Sequence, residues 1–104
     1  MRIYLRKTYN DITSMNGGYT LAPYEIVLVK SSTGTHKGNR TLKLQLKAKK
    51  EGIPSRAHCD LQDISRKSFI SDCGVSNVER LVGREILGIV SPDRNLIVGV
   101  ALNI

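Results

Sequence analysis

The chain has 104 residues, of which 40% are hydrophobic and 24% charged. That is one domain's worth of ordinary globular sequence. It is too short for a two-domain enzyme, a TIM barrel or a full dinucleotide-binding fold, and too apolar for a disordered tail. Sixteen Lys and Arg residues against nine Asp and Glu leave a net charge of +7, which points to an anionic partner.

The first residues, Met1-Arg2-Ile3-Tyr4-Leu5-Arg6-Lys7, are broken by charge before an apolar run develops. This predicts the absence of a signal peptide. No apolar stretch reaches the ~18–20 residues of a membrane span. A cytoplasmic protein without a membrane partner is therefore expected. Residues 2–6 read as a short strand with Ile3 and Leu5 inward. Residues 10–19 hold Asp11, Ser14, Asn16, Gly17 and Gly18 and read as a loop or turn. Residues 24–30, YEIVLVK, are apolar and β-branched and predict a strand. Residues 31–40, SSTGTHKGNR, predict a long polar loop.

The next segment, 41–48, alternates strictly, as a half-buried strand does. Leu42, Leu44, Leu46 and Ala48 would face a core, with Lys43, Gln45 and Lys47 on the wet face. With the preceding strand it forms a predicted hairpin with a basic tip. A turn follows at Glu51-Gly52-Ile53-Pro54. Residues 56–62 alternate again, with Ala57, Cys59 and Leu61 inward and Arg56, His58, Asp60 and Gln62 outward. Residues 63–67 read as a turn with further basic charge. Ser76-Asn77-Val78-Glu79 matches a capping box, so a short helix is expected there, with Val78, Leu81 and Val82 on one face. Residues 84–90 and 96–102 flank the turn 91–95 and predict a C-terminal hairpin. A helix over 77–89 followed by one strand is the competing reading. The sum is a mainly β fold: a small SH3-like or strongly bent barrel of five to six short strands with one short helix.

The charge is concentrated. Residues 26–50 contain Lys30, Lys37, Arg40, Lys43, Lys47, Lys49 and Lys50 and no acid. The rest of the chain has nine basic and nine acidic residues and is neutral overall. Side chains two residues apart on a strand lie about 6.6 Å from each other, close to the phosphate spacing along one nucleic-acid strand. These seven residues are the candidate nucleic-acid-binding set. Lys43 and Lys47 would act from the strand, while Lys37 and Arg40 would clamp phosphate from the loop. RNA is the favoured partner over DNA. The five aromatics, Tyr4, Tyr9, Tyr19, Tyr24 and Phe69, do not interleave with the lysines. Base stacking is therefore not expected to dominate, though Tyr19 and Tyr24 could flank a groove.

Two groups could carry other chemistry. The loop 34–40 places His36 beside Lys37 and Arg40, where an imidazole could exchange protons near neutral pH. His58 and Asp60 are neighbours on one strand face, where a surface ion pair is the simpler reading. Cys59 and Cys73 read as buried thiols. With His36 and His58 they lack the ligand spacing of a zinc site, and neither a metal nor a cofactor is expected.

The stretch Tyr24-Glu25-Ile26-Val27-Leu28-Val29, the loop Gly34-Thr35-His36-Lys37-Gly38-Asn39-Arg40 and the strand after it resemble the opening of MazF/PemK-type toxins. Ser55-Arg56-Ala57-His58-Cys59-Asp60 through Ile64-Ser65-Arg66 resembles that family's central strand and basic turn. The helix expected from Ser76 would match its C-terminal helix. The resemblance implies an SH3-like barrel, a homodimer, and sequence-selective RNA cleavage without metal. Arg40 would match the loop arginine that contacts phosphate and Asp60 the strand acid; His36, from the chemistry of its loop and not from the resemblance, is the further candidate catalytic residue. A second, shorter likeness links Leu61-Gln62-Asp63-Ile64-Ser65 to the D-x-S element of PilZ domains. From the residues alone a rival reading stands beside RNA binding. It is a non-enzymatic interaction module, such as a phage-type inhibitor, that docks its basic patch on an acidic protein surface of a host nucleic-acid enzyme.

Overall fold

The computed structural model describes residues 1–6, 18–33, 40–91 and 96–103. Among the described residues six strands form one antiparallel sheet: β1 (Arg2–Leu5), β2 (Thr20–Thr33), β3 (Arg40–Ala48), β4 (Arg56–Gln62), β5 (Glu85–Ser91) and β6 (Leu96–Leu102). Their order is β1-β6-β5-β2-β3-β4. The sheet curls into a half-barrel, and one helix, α1 (Asp63–Cys73), packs against β1, β3 and β4. The mainly β expectation with a single helix is met.

Curvature comes from β2. Its first half pairs with β5 and its second with β3, overlapping at Tyr24 and Glu25. A bulge at Val27 interrupts the register with β3 between Ile26 and Leu28, and such an extra residue bends its strand and increases twist. A second irregularity, between Ile89 and Val90, bends the β5–β6 hairpin. The core fills the concave side. Tyr24, Ile26, Leu42, Leu44, Leu61, Phe69, Leu81 and Val100 are all fully buried in it. The strict alternation of β3 and β4 places their side chains on the faces expected. Leu42, Leu44 and Leu46 are inward and Lys43, Gln45 and Lys47 outward, while Cys59 and Leu61 face the core.

Four expectations need correction. In β1 the phase is reversed: Tyr4 is buried while Ile3 is 39% exposed. The Tyr4 ring meets Phe69 edge-on at 5.2 Å, and its hydroxyl reaches Asp72. A ring with an apolar body and a polar tip fits that position better than an aliphatic chain. Residues 63–67 open α1 rather than forming a turn. Asp63, at φ 52°, turns the chain from β4 into the helix, and Gly74 at φ 68° ends it. The helix expected from Ser76 is a single 3₁₀ turn, Val78–Leu81. Asn77 caps it, accepting from the Glu79 N–H at 3.0 Å, and Gly83 at φ 92° stops it. Residues 85–91 are therefore strand, and the C-terminal hairpin holds while the competing helix does not. Finally, β2 runs to Thr33 and β3 begins at Arg40. The predicted loop is thus shorter, and Arg40 is a strand residue.

Candidate nucleic-acid interface

The outward face of β2, β3 and β4 is built by register. Across the three strands, Lys30, Lys43 and Asp60 form one row, Leu28, Gln45 and His58 the next, and Glu25, Lys47 and Arg56 the third. Lys43 and Lys47 are four residues apart, about 13 Å along the strand, with the Gln45 amide between them. Lys30, Lys43, Lys47, Arg56 and His58 are exposed. Two rows contain directly opposed like charges, Lys30 with Lys43 and Lys47 with Arg56. Such pairs destabilise a sheet. None of these four basic residues ion-pairs with a described residue. At the upper end Gln62 Nε2 donates to Thr41 Oγ1 at 3.0 Å. A hollow of 270 Å³ lies on this face, bordered by the bulge residue Val27 and by Gln45, Leu46, Arg56, Ala57 and His58.

The remaining candidates sit differently. Lys49 reaches two carboxylates that β2 and β5 place opposite each other, Glu85 at 3.3 Å and Glu25 at 3.4 Å. These hydrogen bonds, Glu85 first, raise its pKa above the ordinary lysine value. Its charge is therefore compensated within the fold. Lys50 is exposed in the turn before β4. Arg40 is exposed and opposite Thr33, but it shares the parity of Leu42 and so belongs to the other side of the sheet from Lys43. Asp60 is half-buried on the lysine side, opposite Lys43. The structure does not bring Arg40 and Asp60 together, since they are three strand positions apart and on opposite faces. His36 and Lys37 lie outside the described residues.

Arg56 is the residue that sequence reasoning left out of the binding set. Its outward position was legible from the alternation of 56–62. Its neighbour Lys47 was not, because that depends on the β3–β4 register. Tyr24 does not flank a groove. It is fully buried, and its hydroxyl donates to Pro54 O at 2.7 Å. Tyr19 is 42% exposed just before β2, and Tyr9 is outside the described residues. Among the described residues, the face thus offers charge and amide donors rather than stacking rings.

Nucleophilic chemistry has little to build on. Both cysteines are free and buried. Burial pushes the Cys59 thiol up to about 12 and raises Cys73 as well, so neither is a thiolate near neutral pH. Among the described residues no group of His, Cys, Asp and Glu is arranged to hold a metal ion, and no helix is long and apolar enough to cross a membrane. No family model matches the chain, and no curated protein or solved structure shows significant similarity to it.

Proposed function

We propose that the chain binds single-stranded nucleic acid, RNA before DNA, through the outward face of β2, β3 and β4. One observation carries the reading. Lys30, Lys43, Lys47 and Arg56 share one face and meet in like-charge pairs, and none of them makes an ion pair with a described residue, although Asp60 stands opposite Lys43 and Glu25 opposite Lys47. A fold that tolerates this repulsion gains most from an anion laid across it. Phosphates along an extended strand supply charge at the spacing of the β3 side chains. Binding of this kind reads backbone more than sequence. Cleavage is not part of the proposal, because Arg40 and Asp60 do not converge.

The test is fluorescence anisotropy with labelled single-stranded RNA and duplex DNA at several salt concentrations, the RNA being run on a gel afterwards. Four phosphate contacts predict a slope of log K against log salt of about −3 for the single strand. Lys43→Gln with Lys47→Gln should make it shallower by about 1.4. Intact RNA is expected on the gel. No binding even at low salt would overturn the reading.

One feature favours an acidic protein surface as the alternative partner. Leu28, 38% exposed, stands in the middle row of the basic face, and an apolar centre inside a charged rim is how protein interfaces are built. That partner would give tight binding with a shallow salt slope.

A further inference from the structure

β1 ends at Leu5, while its neighbour β6 begins at Leu96 and pairs with it only from Gly99 onward. The leftover stretch of β6 approaches β4, the opposite edge of the sheet, across the seam of the half-barrel. Arg6 sits in this seam. Its backbone N–H donates to Val98 O at 2.9 Å, and its Nη1 donates to Ile97 O at 3.1 Å. Beside it lies a cavity of 180 Å³ with Pro54, Leu96 and Ile97 as apolar walls and Arg6, Arg56 and His58 as polar lining. Among the described residues no carboxylate lines it. Arg56 and His58 also border the hollow on the outer face. The basic face therefore continues over the β4 edge into the seam.

We infer that this seam cavity is a phosphoryl-group site that receives the terminal phosphate of a strand lying on the β2–β3–β4 face. The inference rests on the nucleic-acid reading of that face. A guanidinium presents five N–H donors in a planar fork, and Arg6 commits one nitrogen to Ile97 O. Arg56 adds a second fork and His58 a ring donor, which suits an oxyanion with several acceptor oxygens. A phosphomonoester carries about −1.5 to −2 charges at neutral pH, whereas an internal diester carries one. A cavity with two guanidiniums and, among the described residues, no acid favours the former. Apolar walls lower the local dielectric and strengthen that preference. The volume is far more than one water needs, ~10–15 Å³.

Three strands of one sequence distinguish the end from the chain: one with a 5′-phosphate, one with a 3′-phosphate, and one with hydroxyls at both ends. One phosphorylated end should bind about tenfold more tightly than the hydroxyl ends, a difference of ~1.4 kcal/mol. Arg6→Gln should erase that ratio and leave binding of the hydroxyl-ended strand unchanged. Should Arg6→Gln fail to fold, His58→Gln, at an exposed position, should reduce the same ratio. Lys43→Gln with Lys47→Gln should weaken all three strands alike and keep the ratio. Phenyl phosphate and inorganic phosphate, followed by the ring resonances of His58, probe the cavity without RNA. Equal affinity for the three strands would overturn the end site and leave the face reading intact. A His58 shift with inorganic phosphate but no end preference would overturn the strand end as the source of the phosphoryl group. Failure of every strand to bind would remove the face reading. The phenyl phosphate titration then decides the cavity, and an unmoved His58 would overturn it.

Discussion

Tyr4, Asp72 and Arg2 close the fold through one carboxylate. Asp72, in the last turn of α1, accepts from Tyr4 Oη and from Arg2 Nη1, the latter at 2.9 and 3.0 Å. The Tyr4 hydrogen bond, then Arg2, holds the Asp72 carboxyl below the usual carboxylate range. Burial first, and Asp72 second, push the Tyr4 phenol above its ordinary value. The two shifts act at opposite ends of the pH scale. A depressed carboxylate contributes stability that is full above its unfolded pKa, ~3.9, and is lost as pH falls through the lowered folded value. A raised phenol contributes stability that is full below ~10 and is lost as pH rises through the folded value. The clasp between β1 and α1 is therefore intact between about pH 4 and 10. Urea unfolding across pH should show decline on both sides. Asp72→Asn should flatten the acid limb and Tyr4→Phe the alkaline one, and an unchanged acid limb in Asp72→Asn would show that the clasp adds nothing. The sequence placed Ile3 and Leu5 inward because a strand this short fits a period of two in either phase. The partners that decide for Tyr4, namely Phe69 and Asp72, are more than sixty residues away in the chain.

At the scale of elements, the hairpins and the faces of β3 and β4 were readable because their periodicity is local. Helix α1 was not. Only Phe69 and Cys73 are buried in it, and Ile64 in its first turn is 80% exposed. A helix that fully buries only two side chains, with Ile70 partly buried beside them, carries no long apolar stripe for periodicity to find. Its readable signals were Gly74 at the C-terminus and the i, i+4 spacing of Phe69 and Cys73. The docking of β1 depends on a glycine that the sequence did not explain. A Cβ at Gly99 would lie 2.6 Å from Tyr4 O and 3.1 Å from Leu5 Cα. Those are backbone atoms, so no side-chain rotation relieves the clash. Gly99→Ala should destabilise the protein by about 2 kcal/mol and strip hydrogen-exchange protection from β1. A variant as stable as the parent, with β1 still protected, would mean that the two strands separate slightly at no cost.

At the scale of the whole molecule, the charge that the sequence concentrates in residues 26–50 is sorted by the fold. Lys49 is neutralised by Glu25 and Glu85, and Arg40 falls on the other side of the sheet, while Arg56 joins Lys47 from outside the segment. If the outward face is a binding surface, its charges oppose folding and favour the ligand. Lys30→Gln removes the pair with Lys43. It should leave stability unchanged or raise it by about 0.2–1 kcal/mol while weakening RNA binding and its salt slope. Urea unfolding and anisotropy on the same variant check both effects. Lost stability with unchanged binding would assign Lys30 to the fold instead.

By itself, the sequence determined a small β-rich domain, most of its strands, the inward and outward sides of β3 and β4, the C-terminal hairpin and the basic segment. Each of these depends on residues close together in the chain, through alternation, turn chemistry and local charge. The tertiary structure alone decided the strand order, the phase of β1, the packing of α1, the compensation of Lys49, the meeting of Lys47 with Arg56, and the seam lined by Arg6 and His58. These are matters of register and closure between distant segments, and a one-residue change in pairing would send every side chain of a strand to the opposite face.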